Sequence, residues 1–184
     1  CENFGAITAA TLVVGGWNDA YSNAVPRLMR GLRSPRKAII GPWAHKYPHF
    51  AVPNPKIGFL QEMLRWWDFY LKDIDTKVTQ DPDYRVYVME PFKPGTFPSE
   101  IKGRWIADSY WGFGNTATKT FYLTDKGIAP VKGEELPLTI TSKQTTGFDG
   151  GEYCIIWLGP EFPGDQAKDD SQSITFDSPI LIED

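Results

Sequence analysis

The chain has 184 residues, enough for one large domain or two small ones. Its 41% hydrophobic and 23% charged residues are the composition of a soluble globular protein. The net charge of −4, with no basic stripe and no array of aromatics among Lys and Arg, excludes nucleic acid as the expected partner and leaves small or neutral partners open.

Residues 11–14, "TLVV", are apolar on both faces, the pattern of a parallel strand covered on both sides. A corner follows, "GGWNDAYSN". The next segment, "SNAVPRLMRGLR", places Val25, Leu28, Met29 and Leu32 at helical spacing. Ser22 or Asn23 is available as a cap, and Pro26 lies in the first turn, where a missing N–H costs little. "KAIIGP" at 37–42 predicts a second short strand that also ends in glycine. Strand, helix and strand in that order form a βαβ unit with parallel strands. After a Pro-rich loop, "GFLQEMLRWWDFYLK" predicts a helix, with Leu60, Met63, Leu64, Trp67 and Leu71 along one apolar stripe. From about residue 80 the texture changes to short alternating stretches, "YRVYVM", "TKTFYL", "LPLTIT", "EYCIIWL" and "QSITFD". These predict an antiparallel sandwich or jelly roll. The expected fold class is therefore α/β followed by all-β, with domains at 1–79 and 80–184. Aromatics at 14%, seven Trp among them, fit sandwich cores or an aromatic-lined pocket.

Other features exclude or weaken alternatives. Two cysteines, Cys1 and Cys154, make no disulfide framework, and Cys154 in "EYCIIWL" is expected to be a core residue. No apolar run approaches the roughly 20 residues of a membrane span. The compartment is left open. The chain has no initiator Met and reaches a strand within about a dozen residues, so we expect a segment of a longer protein. Two parallel strands cannot complete an α/β core, so such a segment should either self-associate or fold beside missing neighbours.

Chemistry is expected where the two parallel strands end. The first corner carries Asp19 and the second, "GPWAH", carries His45. In open α/β sheets ligands bind beyond the carboxyl ends of the strands. If the two strands are neighbours, Asp19 and His45 come within hydrogen-bond reach. An acid beside a histidine fixes its tautomer and stabilises the imidazolium formed in proton transfer. Asp after Gly-Trp-Asn is also a natural turn residue, and a lone His after a strand a natural loop residue, so spacing alone leaves both readings open. There is no Gly-x-Ser-x-Gly, and Ser22 lacks the elbow, so the residues offer acid and base without a nucleophile. His45 and His49 are four apart, but Pro48 opposes a helix between them, and no metal site is expected. Asp165, Asp169 and Asp170 read as a solvated acidic loop, and the pair Trp66–Trp67 as core or interface.

The stretch "LVVGGWNDAYSNAVPRLMRGLR…RKAIIGPWAH" resembles the acid and histidine segments of cocaine-esterase-like (CocE/NonD) hydrolases. That family is related to X-Pro dipeptidyl-peptidases and uses a strand, G-W-x-D, a helix, and a strand ending G-P-W-x-H. "MLRWWDFYLKDIDTKVTQDPDYRVYVME", "TKTFYLTDKG" and "SQSITFDSPILIED" resemble later segments of the same family. The resemblance implies the C-terminal part of an α/β-hydrolase domain at 1–79 and a truncated jelly roll at 80–184. It implies a serine hydrolase acting on small acyl ester, amide or peptide substrates without a cofactor. Asp19 would be the triad acid, His45 the general base and Tyr21 an aromatic of the acyl pocket. The nucleophilic serine lies upstream in the family, so this chain alone is expected to be inactive. A different class is a non-catalytic β-sandwich module, which would bind sugar or a partner subunit through an exposed aromatic row. It would gain if Asp19 and His45 lay far apart.

Overall fold

The computed structural model describes residues 3–109, 117–150 and 162–180. The chain divides into two compact units, Cys1–Asn115 with Tyr153–Pro163 and Thr116–Glu152 with Gly164–Asp184.

The first unit is built on a four-stranded mixed sheet. Its elements are β1 (Thr11–Gly16), α1 (Ala24–Gly31), β2 (Arg36–Gly41), α2 (Phe59–Lys72), β3 (Tyr84–Met89) and β4 (Gly103–Asp108). The order is β1-β2-β3-β4. β1 runs parallel to β2 with Thr11 opposite Arg36 and Gly16 opposite Gly41, so the two strands end level. β2 runs parallel to β3 over only three residues, Ala38–Ile40 against Tyr84–Val86. β3 and β4 are antiparallel, with Tyr87 opposite Trp105.

The strands differ from expectation in two ways. β1 continues through Gly15 and Gly16 instead of stopping before them, because both glycines pair with β2. "YRVYVM", expected as the first strand of a separate sandwich, lies in the same sheet as β1 and β2, and the sheet thus continues past residue 80.

Each face of the sheet carries its own core. On one, α1 lays Val25 and Met29, with Leu32 just beyond, against Val13, Ala38, Ile40, Tyr84 and Val86. On the other, Ile39, Trp43 and Ala51 pack with Leu12, Val14 and Ile57. This second face also receives α2, where Glu62 and Trp66 border a small space shared with Leu12, Ile39 and Arg85. An ionic chain fixes α2 there. Glu62 Oε1 accepts from Arg85 at 2.9 Å, and Arg65 reaches Asp81 at 3.0 Å. The Asp81 carboxylate raises the Arg65 pKa above its ordinary value by accepting its hydrogen bond. Lys37, buried in β2, turns its ammonium to the carbonyl of Asp81 and to Asp83.

Of the stripe Leu60, Met63, Leu64, Trp67 and Leu71 predicted on α2, all but the half-buried Met63 are exposed; the buried side chains of the helix are Phe59 and Trp66. The helix therefore has two apolar seams, and the ion pairs of Glu62 and Arg65 decide which is inside.

In the second unit the described residues form a small antiparallel pair, β5 (Tyr122–Thr124) with β6 (Gly127–Ala129), and a short helix α3 (Ala167–Asp170). "LPLTIT" (136–141) and "QSITFD" (172–177) are not strands. Alternation alone cannot hold a strand whose backbone groups find no ladder partner. Asp169 corrects the reading of a solvated acidic loop. It is buried and accepts the backbone N–H of Asp149 at 3.1 Å, while Asp165 accepts that of Ala167 at 2.9 Å. "EYCIIWL" with Cys154, and Cys1, lie outside the described residues. Among the described residues no helix is long and apolar enough to cross a membrane.

Candidate active site

Because β1 and β2 end level, their corners leave the sheet on a common rim. Strand pairing stops at Gly16 and Gly41, and the corners are then joined by other bonds. The backbone N–H of Trp17 donates to the carbonyl of Gly41 at 2.9 Å, and that of Asn18 to the carbonyl of Trp43 at 3.1 Å. The Asn18 amide Nδ2 donates to the carbonyl of Pro42 at 2.6 Å. Trp17 reaches further. β2 and β3 part after Ile40 and Val86, and the indole Nε1 of Trp17 donates past β2 to the carbonyl of Tyr87 at 2.7 Å.

The second corner is anchored by Trp43. Its ring is buried between Ile39 and Ala51, its Nε1 donates to the carbonyl of Pro55 at 2.8 Å, and it lies 6.1 Å from the Trp105 ring. The glycines are small because Trp43 is close. A Cβ on Gly16 would stand 2.0 Å from the Trp43 carbonyl oxygen, and one on Gly41 2.4 Å from its indole. Ala44 follows, buried, with its N–H donating to the carbonyl of Val52 at 2.9 Å. His45 then emerges, its side chain about one-third exposed.

The structure brings Asp19 and His45 together. His45 Nδ1 lies 2.8 Å from Asp19 Oδ2. A carboxylate only accepts, so the hydrogen of this bond sits on Nδ1. The other oxygen, Asp19 Oδ1, accepts the backbone N–H of Tyr21 at 2.9 Å. Both oxygens are thus engaged, and the carboxylate is held against rotation with only 15% of its side chain exposed. Tyr21 is 64% exposed, its ring 5.7 Å from the imidazole and tilted by 59°. A cavity of about 380 Å³ opens beside the pair. Trp43, Tyr47 and Phe59 line it together with the pair, Lys46 and the glycines of β1.

Residues 1–47, which hold both corners, match the family model for X-Pro dipeptidyl-peptidase (S15 family). These 47 residues are similar to that family, and the fold of the chain is similar to that of a CocE/NonD family hydrolase. Among solved structures, a CocE/NonD family hydrolase from Staphylococcus aureus matches with a TM-score of 0.53 and 15% identity, over 70% of this chain and 22% of its own. A further structure of a CocE/NonD family hydrolase from the same organism gives a TM-score of 0.49 and 14% identity over the same shares. At such identity the likeness speaks for the fold alone. The chain spans about a fifth of the length of that hydrolase. No curated protein matches the sequence.

The other residues singled out in the sequence fall elsewhere. His49 is no partner of His45 on a metal; its ring packs among Tyr47, Phe50 and Phe59. No group of His, Cys, Asp or Glu among the described residues could hold a metal ion. Of the tryptophan pair, Trp66 is buried and Trp67 half-exposed. Trp105 packs on Tyr87 at 5.3 Å. Sequence reasoning did not anticipate Asn18, Tyr47 or Phe59 at the site. Tyr47 and Phe59, twelve positions apart, stack at 6.2 Å across a Pro-rich loop whose path no periodicity reveals.

Proposed function

We propose that this chain supplies the acid and the base of a serine hydrolase that cleaves acyl ester or amide bonds. The observation that carries this reading is the 2.8 Å contact between Asp19 and His45 on one rim of a parallel strand pair, within the segment that matches the S15 family. The solved structure that shares the fold, a CocE/NonD family hydrolase, agrees with it.

The chemistry follows from the geometry. With Nδ1–H committed to Asp19, Nε2 is the nitrogen that exchanges protons. It accepts the proton of a serine hydroxyl as the oxygen attacks a substrate carbonyl, and returns it to the leaving alcohol or amine. Water repeats the cycle on the acyl-enzyme. Asp19 stays ionised throughout and compensates the positive charge that appears on the imidazole. Tyr21, exposed beside the ring, lines the acyl pocket. The serine lies upstream of these residues, as the family resemblance implies, and the strand-rich part of the chain is a portion of a jelly roll. Substrates are small acyl esters, amides or peptides. A non-catalytic binding module would have gained from a wide separation of Asp19 and His45, which lie 2.8 Å apart.

In the full-length enzyme, Asp19→Asn is expected to lower kcat by roughly four orders of magnitude with folding intact, because the amide can donate to Nδ1 and so hold the imidazole in the wrong tautomer. Steady-state ester hydrolysis beside a thermal melt checks this; near wild-type turnover refutes the assignment. The 184-residue chain by itself is expected to show no hydrolysis that His45→Ala abolishes. Ester cleavage that survives Ser22→Ala but not His45→Ala would place a nucleophile within it.

A further inference from the structure

The acid and the base stand on separate corners, and their mutual placement depends on what joins those corners once strand pairing has ended. Asn18 provides two of the three bonds described above, through its backbone N–H to Trp43 and its side-chain amide to Pro42. An asparagine in a turn ordinarily bonds its own backbone two residues on. Here Nδ2 reaches Pro42, 24 residues away, and faces Met89 Sδ at 3.8 Å, 71 residues away. Pro42 is fully buried, so its carbonyl needs a protein donor.

We propose that Asn18 is a positioning residue for the pair Asp19–His45, its amide stapling the acid corner to the histidine corner and setting the distance and angle between carboxylate and imidazole. The catalytic consequence rests on the hydrolase reading above; the geometric one does not. The role calls for a short, planar, neutral donor. Aspartate would turn an oxygen toward the Pro42 carbonyl and add a negative charge next to Asp19. Alanine would leave the carbonyl without that donor. Glutamine carries the donor on a stem one methylene too long.

The test uses the full-length enzyme labelled with ¹⁵N-histidine, in wild type, Asn18→Ala, Asn18→Asp and Asp19→Asn. In the wild type His45 Nδ1–H is expected as a low-field proton resonance, and Asp19→Asn should remove it. Asn18→Ala and Asn18→Asp should move it upfield and broaden it, and should lower kcat by about tenfold to a hundredfold at unchanged KM, the scale of a misplacement near 1 Å. Asn18→Asp, nearly isosteric, keeps the test open if the alanine variant does not fold. An unmoved resonance in the folded variants overturns the proposal, as does a loss of activity that follows only a lowered melting temperature. Unchanged kcat in both Asn18 variants while Asp19→Asn is inactive overturns the catalytic part and leaves the hydrolase reading standing. An active Asp19→Asn sinks the hydrolase reading instead, and the resonance alone then judges Asn18.

Discussion

Gly16 measures how little room the acid corner has. With the Trp43 carbonyl oxygen 2.0 Å from where a Cβ would stand, Gly16→Ala must push backbone against backbone. We expect it to destabilise the chain by about 1–3 kcal/mol, the range of overpacked substitutions, in a urea titration. An unchanged midpoint would mean that the corners separate easily, and the joint between acid and base with them. Tyr84 offers a pH probe. Burial pushes its phenol up to about 12, against an ordinary value of 10. The folded state therefore keeps its proton where the unfolded chain has lost it. Stability from this group is whole below pH ~10 and is lost as pH rises toward ~12, on the order of 2 kcal/mol in all. Tyr84→Phe should flatten the fall in stability over that window, and an equal slope in both proteins would refute it. At this scale Asp19 and His45 were legible in the sequence, since an acid and a histidine each close a strand at a glycine. Asn18 was not. The same residue serves a local turn or a distant carbonyl, and only the register of β1 and β2 separates the two.

Among the elements, α2 shows where periodicity stops being informative. Phe59, Met63, Trp66 and Tyr70 recur at the same spacing as Leu60, Leu64, Trp67 and Leu71, one residue out of phase. Either seam could have met the sheet. Glu62 and Arg65 settle the choice because their partners, Arg85 and Asp81, lie on and beside β3. The two adjacent tryptophans should then respond differently. Trp66→Ala is expected to cost about 3–5 kcal/mol as a buried aromatic truncation, and Trp67→Ala about 1 kcal/mol or less. Similar losses in chemical denaturation would show that both seams are covered in solution. The βαβ unit itself could be read from composition, because two-sided apolar runs separated by a helical pattern have few other solutions. The joining of β3 to that sheet could not. A short alternating strand pairs as well in a sandwich as at the end of a mixed sheet, and its partner is chosen by contacts far along the chain.

For the molecule as a whole, the first unit leaves apolar surface uncovered. β1 is an edge strand in the described sheet, and Leu60, Leu64, Trp67 and Leu71 are exposed together on α2. Exposed apolar patches and unpaired edges of this kind associate in water. Prepared alone, the chain is expected to bind a hydrophobic dye such as ANS and to elute in size-exclusion chromatography above its monomer mass of 20.7 kDa. A sharp monomer peak with a cooperative melt and no dye binding would contradict this. The indole of Trp17 has an effect that the strand order conceals. β1 and β3 are never neighbours, yet one bond from Nε1 to Tyr87 guys the loop bearing the carboxylate to the hairpin on the far side of β2. Tyr87 is in turn wedged against Trp105 and tied by its hydroxyl to Ile101. Repacking that hairpin therefore pulls on the loop of Asp19, so a mutation there can shift the Asp19–His45 contact without coming near the histidine.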